Sequence, residues 1–336
     1  MPQNKIVFNE ILDKESWDKE LELYTFDVYH TYDFHIAHAS VDKGTPVLFS
    51  CKLGDKSLLI PLLTRDIDKT GFKDATSVYG YPGILAHNLS EIEITNFFNY
   101  FIEHLNQKKY VSLFSRMNTF TTPNCFLNSQ CESIGNIVSI DLSLGDKEQV
   151  KLYRKNHLRD IKKLKAKGFE CKVLDSDTDN LKKFQEIYNA TMSALDAKDY
   201  YFFNNDYYLS LFENSKSEIK LVAVEFDGEI AAMGIFTFTN GIVQYHLGGT
   251  HPDFYKFAPT KLLFDFVRAY STQKGCRLFN LGGGLGSIED NLFNFKKGFS
   301  DRVEPFFILK EIINNTVYED LCKGKKMNSY FPSYRA

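Results

Sequence analysis

Apolar and polar positions along this chain alternate, bunch and break in a pattern that predicts mixed α/β structure. The second half is the more regular. Residues 169–174 read as a strand after the stop at Gly168, and residues 181–194 and 206–212 as helices. Three apolar runs follow, 220–226, 229–238 and a strand opening at Ile242. Asp227-Gly228 and Asn240-Gly241 separate them, the strongest short-range hairpin signals, so they form an antiparallel meander. The third strand breaks at Gly248-Gly249. Pro259 then opens a helix whose Leu262, Leu263, Phe266, Val267 and Tyr270 share a face, and Gly275 stops it. Residues 277–281 are a short strand ending in Gly282, Gly283, Gly284 and Gly286. A helical segment carrying Asp290, Lys296 and Lys297 comes next, and residues 305–310 are a last strand.

The first half gives a weaker version of the same order. Residues 5–11 read as a strand and 15–23 as a helix. Residues 46–53 and 56–63 form a hairpin about Gly54-Asp55, 77–81 a strand ending at Pro82-Gly83, and 91–107 a helix striped by Ile94, Phe97, Phe98, Phe101, Ile102 and Leu105. Residues 110–114 are a strand, followed by a polar loop and a closing strand at 137–142. There is no residue-level repeat, so the duplication is one of architecture. The halves are expected to meet near LGDKE, giving domains 1–147 and 148–336.

Composition narrows the function classes. The chain has 336 residues, long for one core, with a formal net charge of −3, which gives no whole-molecule attraction to nucleic acid or anionic membrane. DNA is not expected as a partner, and an anionic ligand must be held by a local cluster. The six cysteines show no CxxC pair or zinc spacing, which fits a reduced cytoplasmic protein with structural thiols. The segment MPQNKIVFNE shows no signal peptide, and no apolar run reaches the ~18 residues of a spanning helix. At most, peripheral membrane contact is expected. His35 and His38, at i and i+3 in DVYHTYDFHIAH, lack a third ligand nearby, so no metal site is expected.

The glycine cluster invites a dinucleotide reading, but G-x-G-x-x-G fails at Ser287, and no GK[ST] follows for a P-loop. It is either a tight turn or a corner where main-chain amides meet an anion or a developing oxyanion. In the strand from Ile242, Tyr245 and His246 point to opposite faces. Tyr245 has apolar companions; His246 is either a sheet-face histidine or a proton acceptor near neutral pH. Lys296 and Lys297 complement a helix C-terminus, and with about 100° between adjacent residues only one enters a cleft. Asp290 either caps that helix or orients the lysine or an amine.

Residues 151–167 form a basic helix in which Arg154 and Arg159 are the candidates for phosphate. Tyr79, Tyr81 and Arg116 are candidates for lining an acceptor site, with packing an equal explanation for the tyrosines. No Cys or Ser sits in a nucleophile elbow.

YHLGGT (245–250), Ala258-Pro259, LGGGLG (281–286) and DNLFNFKKGFS (290–300) resemble the GNAT-related acyltransferase domain of the FemABX peptidyltransferase family over residues 150–310. A fainter likeness lies in DVYHTYDFH and VYGYPG. The resemblance implies two tandem GNAT-like α/β domains, the N-terminal one degenerate. It also implies a cytoplasmic enzyme that moves an activated acyl or aminoacyl group onto an amine of a cell-envelope precursor, a peptidoglycan peptide or a nucleotide- or lipid-linked amino sugar. It puts a functional lysine in FKKGF. Tyr245, Gly249, Thr250, Gly282, Gly283 and Gly284 become substrate-binding candidates, and His246, Asp290, Lys296 and Lys297 catalytic ones.

No cofactor is held permanently, and the donor is aminoacyl-tRNA or acyl-CoA. Acyl-CoA enzymes of this kind usually carry glycines at the helix start after the opened strand, where amides cradle a pyrophosphate. Here Tyr255–Thr260 has none, and Pro259 has no N–H. That departure favours aminoacyl-tRNA, or a CoA held mainly by its pantetheine arm. The alternatives are an acyl-CoA-dependent amino-sugar N-acyltransferase of capsule or O-antigen synthesis, and a non-catalytic nucleotide-sugar or RNA-binding module.

Overall fold

A computed structural model describes residues 5–325 and 330–336. Its strands are β1 (Val7–Ile11), β2 (Thr45–Leu53), β3 (Lys56–Ile67), β4 (Phe72–Thr76), β5 (Leu85–His87), β6 (Tyr110–Arg116), β7 (Glu132–Asp141), β8 (Glu170–Leu174), β9 (Glu218–Phe226), β10 (Glu229–Thr239), β11 (Ile242–Thr250), β12 (Leu278–Gly282) and β13 (Val303–Ile312). The chain divides into two compact units: Met1–Ile134 with Phe306–Ala336, and Gly135–Pro305.

Within the second unit the strands run β8-β9-β10-β11-β12-β7. Every neighbouring pair is antiparallel except β11 with β12, which is parallel. Two helices (Thr178–Ala194 and Asn205–Phe212) lie between β8 and β9, one (Thr260–Gln273) links β11 to β12, and a short one (Asn291–Lys296) follows β12. Both hairpin turns form with Asp227, Gly228, Asn240 and Gly241 at positive φ, as a two-residue reversal requires. Phe236, Phe264, Phe279 and Phe299 are at the centre of the core between the sheet and the Thr260–Gln273 and Lys155–Lys167 helices.

The first unit repeats this order step for step. Its strands run β1-β2-β3-β4-β6-β13, all antiparallel except parallel β4 and β6, with β5 added beside β3. Two helices precede β2, Glu91–Gln107 links β4 to β6, and Asn124–Gln130 follows β6. Ser90 and Glu93 cap the Glu91–Gln107 helix reciprocally, and Ile94, Phe97, Phe98, Phe101 and Leu105 are its buried face. The architecture is therefore mixed α/β and tandem.

The expected boundary at 147/148 differs from the compact units. The sixth strand of each unit comes from the other half of the chain: β7, expected to close the first half, pairs β12 in the second unit. β13, expected to close the second half, pairs β6 in the first. Period-two alternation cannot tell which sheet a last strand joins. The strand expected at 77–81 lies instead at Phe72–Thr76. The following loop needs Gly80 at φ +101°, where a methyl group would sit 2.2 Å from the Tyr29 ring.

Candidate active site

In the second unit β11 and β12 are parallel neighbours only from Ile242–Gln244 against Leu278–Asn280. The last rung is closed by a buried amide pair, Asn280 Nδ2 donating to Gln244 Oε1 at 2.8 Å. Beyond it the strands part. β11 bulges where Phe236 pairs Tyr245 and Ile235 pairs Leu247, leaving His246 as the extra residue, then continues to Thr250. β12 turns away at Gly282, whose φ is +76° and whose N–H donates to Asn280 Oδ1 at 2.9 Å. The opening is the space between the two strand ends past their last paired rung.

Lys296 spans that opening. It is the last residue of the short helix and only 6% exposed. Its Nζ donates to the Gly283 carbonyl at 2.6 Å and lies 5.8 Å from the centroid of the Tyr245 ring. Burial pushes its ammonium down to about 8, opposed by the charge of Asp290. Of the two lysines, Lys296 is thus the one turned inward; Lys297 ends the helix half-buried with its Nζ 5.9 Å from the Phe293 ring centroid.

The glycine corner is built on its own backbone. Methyl groups at Gly283 and Gly284 would lie 2.8 Å from Asn136 O and 2.1 Å from Ile288 O. Asp290 fastens the corner to the lysine helix: Oδ1 accepts from the Phe293 N–H at 2.8 Å and Oδ2 from the Leu285 N–H at 3.1 Å. It caps that helix, and its carboxylate charge acts on Lys296. Among the described residues the half-buried Gly283 and Gly284 amides make no main-chain hydrogen bond outside the ladder.

Two residues from the basic helix brace the same segment. Arg154 Nη1 donates to Asn294 O at 2.9 Å, and His157 Nε2 lies 3.0 Å from Phe295 O. Arg154 is thereby committed to the helix end, though exposed. Arg159 is exposed and paired with Asp160 at 3.2 Å.

His246 is corrected. It lies on the opposite face from Tyr245, buried, with Nε2 2.6 Å from the hydroxyl of fully buried Tyr207. Burial pushes its imidazole down to about 3, far below what a base for an ammonium group needs. Gly249 is corrected too: it is buried, and a methyl there would lie 2.8 Å from both Ile187 O and Thr191 Oγ1, so glycine lets the Thr178–Ala194 helix close on β11. Thr250 bonds that helix through its N–H to Thr191 Oγ1 at 3.0 Å, and its hydroxyl pairs Thr260 at 2.8 Å. Tyr245 is half-buried, its ring 4.7 Å from Phe264, and burial raises its hydroxyl pKa. A methyl at Gly248 would lie 2.5 Å from that hydroxyl.

Tyr79, Tyr81 and Arg116 belong to the first unit. Tyr81 packs edge-on to Tyr29 at 5.6 Å and Phe306 at 5.2 Å, Tyr79 lies 6.0 Å from His38, and the Arg116 guanidinium is 5.3 Å from the Phe114 ring. His30, His35 and His38 are buried, and burial pushes His30 to about 3 and His35 to about 4. Among the described residues no cluster of three metal-ligating side chains occurs.

The sequence reading missed an ionic group around buried Arg268, which pairs with buried Asp265, the Tyr153 hydroxyl and, at the surface, Asp146. The i,i+3 pair Asp265/Arg268 on an otherwise apolar helix was its visible trace.

The family comparison matches residues 151–297 to the acetyltransferase (GNAT) domain. Residues 151–297 thus resemble a GNAT acyltransferase domain. Among solved structures, FemX superposes with a TM-score of 0.70 at 12% identity, covering 93% of this chain and 99% of FemX. L-PGS from Bacillus licheniformis gives 0.56 at 13% identity, over 90% of this chain and 93% of that one. The C-terminal domain of an assigned lysylphosphatidylglycerol synthetase from Agrobacterium fabrum gives 0.57 at 13%, over 88% and 90%. No curated relative matches the sequence. These likenesses carry the tandem fold, and the domain match over residues 151–297 supports a transferase.

Proposed function

We propose that this enzyme transfers an aminoacyl group from aminoacyl-tRNA to an amine of a cell-envelope precursor in the cytoplasm. The observation that carries the reading is the buried Lys296 ammonium at the parting of β11 and β12, beside the Gly283 and Gly284 amides. An ester carbonyl entering there meets a positive charge in a poorly solvated site, where electrostatic stabilisation of an oxyanion is strongest. The acceptor amine attacks in its neutral form, the C–N bond forms as the C–O bond to the ribose breaks, and the ammonium proton passes to the departing alkoxide. No enzyme nucleophile is needed.

The donor choice rests on the helix start at Thr260. Its first amides are already used, Lys261 N–H on Ala258 O and Leu262 N–H on Pro259 O, which leaves little for a pyrophosphate. Tyr79, Tyr81 and Arg116 are proposed for the acceptor's sugar or base, and Arg154 and Arg159 for phosphate. The second reading is an acyl-CoA-dependent amino-sugar N-acyltransferase. Incubation with charged tRNA and with labelled acetyl-CoA, each with a nucleotide-linked muropeptide or amino sugar, separates the two. Label transferred from tRNA alone supports the first; transfer from acetyl-CoA alone replaces it with the second.

A further inference from the structure

Three aliphatic side chains stand out of the segment that joins the glycine corner to the lysine helix: Leu285 is 48% exposed, Ile288 64% and Leu292 39%. They follow one another within eight residues, around a turn with Gly286 and Ser287 at positive φ. Arg154 and His157 tie the carbonyls of Asn294 and Phe295 to the start of the Lys155–Lys167 helix, two and three residues on from Leu292, so one six-residue helix separates the apolar tip from that junction. That helix exposes Lys155, Arg159, Lys162 and Lys163, and its one acidic residue, Asp160, is paired with Lys261 at 2.6 Å.

A cationic helix beside a protruding aliphatic tip is the pairing of signals that anchors a peripheral protein. Neither suffices alone, because a few basic residues or a few inserted side chains give only marginal binding. RNA would be satisfied by the cations and has no use for Leu285, Ile288 and Leu292. We infer that this face docks on an anionic bilayer, with Leu285, Ile288 and Leu292 entering the headgroup boundary and the basic helix lying over the lipid phosphates. The inference deepens the proposed function: it brings the Lys296 opening to the membrane surface and makes a lipid-linked amine the acceptor that reaches it. No helix among the described residues is long and apolar enough to cross a membrane, so this contact is a surface one.

The test is co-sedimentation of the full chain with phosphatidylglycerol vesicles and with phosphatidylcholine vesicles, without donor or acceptor. Its outcome is therefore independent of whether the transfer reaction is correctly assigned. Binding to phosphatidylglycerol and not to phosphatidylcholine is expected, with Leu285→Ser/Ile288→Ser and Lys162→Glu/Lys163→Glu each weakening it by about tenfold or more. All four positions are exposed, so an unchanged thermal midpoint shows that the variants fold. The inference is overturned if the chain stays in the supernatant with both vesicles. It is equally overturned if the serine variant sediments like the parent, which would leave only a polyanion-binding helix.

Discussion

Burying the Lys296 ammonium costs free energy that one hydrogen bond to Gly283 and the nearby Tyr245 ring only partly return. Lys296→Met should therefore leave the protein as stable as the parent or about 1–3 kcal/mol more stable, while lowering turnover by about 10²–10³-fold. Thermal melts and initial rates on the same preparation check both halves. The proton on this lysine is needed, so turnover should fall as pH rises through about 8. Stability runs the other way: the folded chain gives up that proton before the unfolded chain does, so stability rises from about pH 8 towards the ordinary lysine range. His30, His35 and His246 act at the other end of the scale. Each is held neutral by burial, with the folded value at about 3 or 4, below the ordinary imidazole value. Their contribution is complete above about pH 6.5 and is lost as pH falls, with a slope of up to about 4 kcal/mol per unit for the three together. Melting between pH 7 and 4.5 should show it, and His246→Gln should flatten the slope while sparing much of the turnover that Lys296→Met destroys.

At the level of elements, the corner after β12 depends on where glycine is required by contact and where only by φ. Gly284→Ala places a methyl 2.1 Å from Ile288 O and should displace the corner, costing about 1–3 kcal/mol and most of the activity. Gly286 faces open space at φ +60°, so Gly286→Ala should cost about 1 kcal/mol and leave turnover nearly intact. Equal losses in both would mean that the corner's shape is not what matters. Much of this was legible in the sequence: the Asp-Gly and Asn-Gly turns, the Pro259 helix and the glycine run fell where expected, because each is a local signal. Which lysine turns inward was not, since helical spacing separates Lys296 from Lys297 without saying which side is buried. His246 misled for a related reason: alternation put it on the face away from Tyr245, but nothing in the strand announces that Tyr207, 39 residues earlier, waits there.

Across the whole chain, the two units share one plan, with each sixth strand supplied from the other half of the sequence. A cut at the boundary the sequence favoured therefore removes β7 and leaves β12 without its antiparallel neighbour. A fragment of residues 148–336 should aggregate through that edge, whereas residues 135–305 should fold and stay in solution. Circular dichroism and size-exclusion chromatography distinguish the two. A well-folded 148–336 fragment would show that β7 is dispensable and that the unit is as the sequence drew it.

The central claim concerns the charge at the opening, and transfer itself measures it. The parent chain and Lys296→Met are to be incubated with radiolabelled aminoacyl-tRNA and a lipid-linked muropeptide amine, and the amide product counted. The account expects label in the product with the parent and at least about a hundredfold less with the variant. Equal incorporation by the two chains would contradict it.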